Sequence, residues 1–326
     1  MINDLDYQKC LYLTKSYEEI IKDPEMNKSK YNQMAKEGYA FLSLSSPMPG
    51  HMKDVDEKLL SKVQKYMNES TKVFRKYQEK GLLKWNISAV PNSYWAKVLH
   101  LQNEDELWNI ILDICLIEEE QDPIELWREK IKRLKKRAEY LNALKIKKMI
   151  YKNSLGTNLE IFLPENYLFQ LVEEKNIVNM PTEEIFTAPN YLKTTGIVYS
   201  SKPLEYQGSI IEDFYLEFKN GKVVSYDAKK GKEILQGILE TDKGSSYLGE
   251  IALVDISSPI SKINKIFYDT LIDENSCCHL ALGQSFGECV KEGLQKEKEE
   301  LKKLGLNQSK THVDFFIGTK DLCIEA

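Results

Sequence analysis

A two-domain α/β fold is predicted by three observations: a length of 326 residues, a first half dominated by amphipathic helical patterns, and a change after about residue 145 to short β-type runs and tight turns. The expected boundary lies near residue 150. It gives a helix-rich α/β N-terminal domain over 1–150 and an α/β domain of mixed strands and hairpins over 151–326, each able to bury a sizeable core. Composition is that of an ordinary globular chain, with 42% hydrophobic and 29% charged residues. A formal net charge of -5 gives no general reason to expect nucleic acid as a partner.

Residues 39–45 form a strand-like apolar run, closed by Pro47, Pro49 and Gly50. Leu59, Leu60, Val63, Met67, Val73 and Phe74 then recur at the spacing of one helical face, and residues 82–90 read as a second strand ended by Pro91. Helices are expected over 105–117 and from Asp122, an N-cap followed by Pro123, through Trp127, Ile131, Leu134, Ala138 and Leu141. Between Lys130 and Arg137 the basic residues are interrupted by Ile131 and Leu134 at helical spacing, which reads as a solvated helix face rather than a nucleic-acid patch. In the second half, residues 214–218 and 223–226 flank Asn220 and Gly221, a hairpin signal, and 232–240 reads as a short helix. Phosphate-cradling glycine motifs and internal repeats are absent from the sequence.

No apolar run approaches the roughly 20 residues that span a bilayer. The polar start, Met1 to Asp6, lacks the basic and apolar regions of a signal peptide. Six irregularly spaced cysteines read as reduced thiols, so the expected compartment is the cytoplasm.

Histidine is scarce, four in all, and two of the four, His279 and His312, sit among carboxylates. His312 and Asp314 are two apart in an apolar segment that reads as a strand, so alternation presents both to one point. On its own this pattern also fits an aspartate that orients a core histidine. Glu250 lies within the apolar stretch 248–254, where a carboxylate must be paired with a cation, protonated or metal-bound. His279 lies in a small-residue, apolar stretch, 277–283, without a nearby lysine or arginine, and standing alone it reads as a satisfied core histidine.

Four segments extend these observations: Met180-Pro181-Thr182-Glu183-Glu184-Ile185-Phe186-Thr187-Ala188-Pro189, Gly249-Glu250-Ile251-Ala252-Leu253-Val254, Asp273-Glu274-Asn275-Ser276-Cys277-Cys278-His279, and His312-Val313-Asp314-Phe315-Phe316. In order and spacing the chain resembles the M29 metallo-aminopeptidases, the aminopeptidase T and aminopeptidase S group, closely from Asn179 to Gly318. The resemblance implies that Glu184, Glu250, His279, His312 and Asp314 hold two adjacent divalent cations. Three carboxylates and two neutral imidazoles bring minus three to two dications, a balance that a bound hydroxide completes. Such ligands suit zinc, cobalt or manganese, with magnesium a further option. The implied reaction is removal of the N-terminal residue from peptides with a free amino terminus, in a cytoplasmic homodimer with no nucleic-acid or membrane partner. Glu274 matches the family's further acidic position and is the expected proton shuttle, with Glu183 as the alternative. Cys277 and Cys278 read as small buried residues, since the resemblance already supplies a full ligand set.

Two departures stand out against that pattern. Phe286 occupies the position, seven residues after the motif histidine, where the family usually has a tyrosine that donates to the developing oxyanion. The chain also starts several dozen residues into the family's N-terminal domain, and the stretch 163–179 is shortened. These departures leave a non-catalytic, metal- and peptide-binding homologue as the competing expectation.

Overall fold

The computed structural model describes residues 4–118, 120–171 and 177–326. Its strands are β1 (Phe41–Ser45), β2 (Trp85–Ala89), β3 (Lys148–Lys152), β4 (Asn158–Phe162), β5 (Asn179–Met180), β6 (Glu184–Thr187), β7 (Thr195–Tyr199), β8 (Leu204–Tyr206), β9 (Ser209–Lys219), β10 (Lys222–Lys230), β11 (Leu248–Val254), β12 (His279–Gly283), β13 (His312–Phe316) and β14 (Cys323–Glu325). They form a three-stranded sheet β1-β2-β5, a larger sheet β10-β9-β7-β4-β3-β14 with β8 on β9, and a four-stranded sheet β13-β12-β11-β6. The fold is thus mixed α/β, and among the described residues no helix is long and apolar enough to cross a membrane.

Both strands expected in the first half form, and they pair in parallel. The amphipathic stretch between them supplies the crossover, but as two helices, Glu57–Ser70 and Lys72–Glu79. Thr71 separates them with non-helical dihedrals, its hydroxyl turned back onto the Met67 carbonyl at 3.0 Å. The apolar spacing continues across this break, which is why periodicity alone reads it as one helix.

The long helix Pro123–Ala143 starts where the capping signal places it, with the Asp122 carboxylate accepting from the Ile124 amide at 2.9 Å. Its neighbour runs Glu104–Ile114, capped by Asn103, and ends earlier than expected because Leu116 takes a positive φ of 58°. Lys130 departs from the solvated-face expectation for the basic run. It is 1% exposed, its Nζ 2.5 Å from Glu183 Oε1 and 5.0 Å from the centre of the Trp127 ring, whereas Lys135, Lys136 and Arg137 are exposed. Charge runs report average polarity, and one member of a helical run can turn inward when a buried carboxylate meets it.

The hairpin β9–β10 closes through Asn220 and Gly221, both at positive φ (50° and 80°), the conformation that twists a two-residue turn to match its strands. The composition shift near residue 150 falls inside β3, and after it the chain returns to the first sheet, where Asn179 and Met180 of β5 pair with Ile87 and Ser88 of β2.

The four-stranded antiparallel sheet positions the chemistry. Ile185, Ile251, Leu280, Leu282, Val313 and Phe315 point from one face into the main core, with Leu134 and Ala138 of the long helix and Phe214 and Leu216 of β9. By alternation, Glu184, Glu250, His279, His312 and Asp314 share the opposite face.

Candidate metal centre

Glu250 reaches that face through a break in alternation. Leu248 pairs with Leu282 on the core side, yet Glu250, two residues on, pairs with Ala281 on the other side. One residue is inserted between them, a β-bulge at Gly249. Strict period-two reading would have put Leu248 and Glu250 on one face, and the bulge corrects it. Only glycine fits there, because a Cβ on Gly249 would lie 2.4 Å from the Gln284 carbonyl oxygen and 2.5 Å from that of Gly283.

The five expected ligands all lie on this sheet. His279 opens β12, His312 opens β13 and Glu184 opens β6, so three of the five lie at strand starts on one sheet. Their atoms fall into two triads that share one carboxylate: Glu184, Glu250 and His279, and Glu250, His312 and Asp314, each with ligand atoms within 4.8 Å of one another. A third group, Glu274, His279 and Asp314, takes one member from each triad. Neither Cys277 nor Cys278 joins a group, and the Cys278 thiol donates to the Val254 carbonyl at 3.5 Å.

The imidazoles are oriented for ligation. His312 Nδ1 faces the Gln284 carbonyl at 2.8 Å and His279 Nδ1 faces that of Cys277 at 3.3 Å, so Nδ1–H donates and the Nε2 lone pair turns into the site. There His279 Nε2 meets Glu184 Oε2 at 3.1 Å, and His312 Nε2 meets Asp314 Oδ1 at 3.2 Å. Both of those oxygens are buried, each with a ring nitrogen as its polar neighbour. Without a cation these contacts need a proton on each Nε2, and a divalent cation held at the same place takes over from those protons. Metal–nitrogen and metal–oxygen bonds of about 2.0–2.2 Å place neighbouring ligands of one ion about 3 Å apart, so the residues fit a metal.

Electrostatics point the same way. Burial alone would pull the His279 imidazole down, yet Glu184 and Glu250 beside it hold it well above the usual histidine range. Burial opposes the His312 cation too, but Asp314 and Glu250 push that group up to about 9. Glu250 is raised by burial against the opposing pull of His279, and Glu274 is raised well above the carboxylate range by burial and then by Asp314 and Glu184. Asp314 alone is lowered: burial disfavours its charge, and His312 beside it outweighs that. The site therefore has a deficit of positive charge, which is what cation ligands provide.

Glu274 lies in a one-turn helix, Glu274–Ser276, buried and held by two amides: Asn179 Nδ2 donates to its Oε1 at 2.8 Å and Asn275 Nδ2 at 3.5 Å. Glu183 turns away from the site to Lys130, while its backbone N–H donates to Asn275 Oδ1 at 2.7 Å. Asn179, Asn275 and Lys130 were not singled out from sequence. Two of them flank motif residues, but their partners are 95 and 53 positions away or lie on another element, and no local pattern encodes such a contact.

Phe286 stacks on the site's edge, its ring centre 4.8 Å from that of His312 and 6.4 Å from that of Phe186. On the family resemblance, a hydroxyl added to this ring is expected to assist a developing oxyanion. Phe286→Tyr is expected to raise kcat about tenfold, less than the full worth of an oxyanion donor, and to change KM less. Steady-state kinetics at matched metal content checks it, and an unchanged or lower kcat would make residue 286 a packing aromatic only.

Comparison with known proteins places the chain in a family. The family described as thermophilic metalloprotease (M29) matches residues 1–326. Aminopeptidase AmpS of Bacillus subtilis (strain 168) is 37% identical over 333 aligned positions, which cover 99% of this chain and 81% of that protein. Aminopeptidase 2 of Geobacillus stearothermophilus is 37% identical, with coverage of 93% and 75%. Among solved structures, wild-type AmpT from Thermus thermophilus superposes with a TM-score of 0.86 at 29% identity, covering 99% of this chain and 81% of that one. A family match over the full chain, relatives at 37% identity and a shared fold together make this chain a member of the M29 metalloprotease family.

Proposed function

We propose that the protein is an aminopeptidase that removes N-terminal residues from peptides at a pair of divalent ions. The observation that carries the two-ion reading is Glu250: it belongs to both ligand triads, so one carboxylate serves two neighbouring positions, Glu184 and His279 completing one and His312 and Asp314 the other. Oxygen and imidazole ligands suit zinc, cobalt or manganese. Bound there, such ions polarise a peptide carbonyl and make water acidic enough to deprotonate near neutral pH.

The chain's own residues supply the rest. Glu274 lies near one ligand from each triad, and a carboxylate at that place takes a proton from water and returns it to the leaving amine. The Nδ1–H bonds to Cys277 and Gln284 hold the two imidazoles in the ligating tautomer. The apolar face beneath the sheet keeps these groups fixed to a packed core. Six free cysteines suit a reducing compartment, and we place the protein in the cytoplasm. A homodimer is the assembly that the family resemblance supports.

Elemental analysis after saturation and desalting should give two ions per chain, and the loaded protein should hydrolyse aminoacyl anilides but not their N-acetylated counterparts. A stoichiometry of one overturns the dinuclear reading; equal cleavage of acetylated substrates overturns the exopeptidase one.

A further inference from the structure

The three-stranded sheet of the first half and the ligand face of the second meet at one side chain. Asn179 is the first residue of β5, its backbone paired in parallel with Ile87 of β2. Its amide crosses to Glu274, where Nδ2 donates to Oε1 at 2.8 Å, a normal hydrogen bond to a carboxyl group that is 7% exposed. Asn275 adds a longer bond, 3.5 Å, to the same oxygen, while its Nδ2 also holds the Leu271 carbonyl at 2.9 Å and its Oδ1 accepts from the Glu183 amide. Both amides therefore converge on Oε1.

From this we infer that Asn179 is a positioning residue for the reaction: it reserves Oε1 of Glu274 as a hydrogen-bond acceptor and so assigns proton exchange to the other oxygen, Oε2. An amide nitrogen has donors only, so the oxygen that it faces is the better acceptor and the proton is favoured on the other one. A carboxyl group free to rotate would turn both oxygens out of line with the reacting atoms over much of its torsional range; anchoring one oxygen holds the plane of the group before the substrate arrives. Because Asn179 sits on a sheet strand rather than on the turn that carries Glu274, it ties the orientation of the carboxyl group to a different part of the fold. The inference rests on the proposed role of Glu274 as the proton shuttle.

The test uses the full chain with metals loaded, an aminoacyl anilide as substrate, and four variants: Asn179→Ala, Asn179→Asp, Glu274→Gln, and the double variant Asn179→Ala with Glu274→Gln. Asn179→Ala should lower kcat about tenfold with KM within about twofold and unchanged metal content. Asn179→Asp keeps the shape and replaces the donor by an acceptor facing Glu274, so it should be at least as slow as Asn179→Ala. A residue that only packed would tolerate this isosteric change. The double variant should be no slower than Glu274→Gln alone, since Asn179 acts through that carboxyl group. Asn179→Asp at wild-type kcat, or losses that multiply in the double variant, overturns the inference while leaving the Glu274 reading intact. Wild-type activity in Glu274→Gln overturns both, and shows the failure to lie in the shuttle assignment.

Discussion

Glu250→Ala should abolish measurable peptide hydrolysis and reduce the metal content of the protein by at least one ion per chain. The carboxylate belongs to both triads, with Oε1 3.7 Å from His279 Nε2 and Oε2 3.8 Å from His312 Nε2, so its removal takes a ligand from each. Loss of a charged ligand from a buried site also leaves the remaining imidazoles and carboxylates without the arrangement that compensates them. We expect a fall in kcat/KM on the order of 10⁴-fold, in line with what removal of a central catalytic group costs. Elemental analysis and anilide hydrolysis on the same preparation decide it. Full activity with both ions retained would show that the ligand set is wrong, whereas Glu250→Asp, which keeps the charge on a shorter arm, should retain metal better than the alanine variant.

Glu274→Gln should behave differently: metal retained, chemistry lost. Glutamine preserves the size of the side chain and can still accept from Asn179 through its carbonyl oxygen, but it cannot take up a proton. General acid–base catalysis is worth about 10²–10⁴ in rate, and kcat should fall within that range while KM changes little. Two ions after desalting combined with slow turnover would separate proton transfer from metal binding. Retention of wild-type kcat would move the shuttle to another group, and loss of an ion would make Glu274 a ligand through its contact group with His279 and Asp314.

The sequence made local features legible and long-range ones only where motifs carried them. Asp122 with Pro123 placed a helix start, and Asn220 with Gly221 placed a hairpin, because caps and tight turns depend on the residues that form them. The spacing of His312 and Asp314 placed two side chains on one face for the same reason. That Glu184 joins them depended on family resemblance, since it reaches the site only when β6 pairs with β11 and sets Glu184 opposite Val254. The pairing of β5 with β2, the inward turn of Lys130 and the reach of Asn179 to Glu274 all depend on contacts between distant segments. Composition and periodicity describe a segment's preferred faces, not which partner will meet them.

Gly249 gives the strand that carries Glu250 a change of parity. Side chains on a strand repeat every two residues, so an odd insertion exchanges inside and outside for everything that follows it. Upstream of Gly249 the even-numbered position serves the core, as Leu248 does; downstream the even-numbered positions turn to the opposite face, where Glu250 joins the other candidate ligands, and the odd-numbered Ile251 takes over the core. The carboxylate that belongs to both triads thus owes its orientation to a residue with no side chain. Side chains around the site can change by small steps, but this one irregularity cannot be lost by degrees, because half a phase shift does not exist.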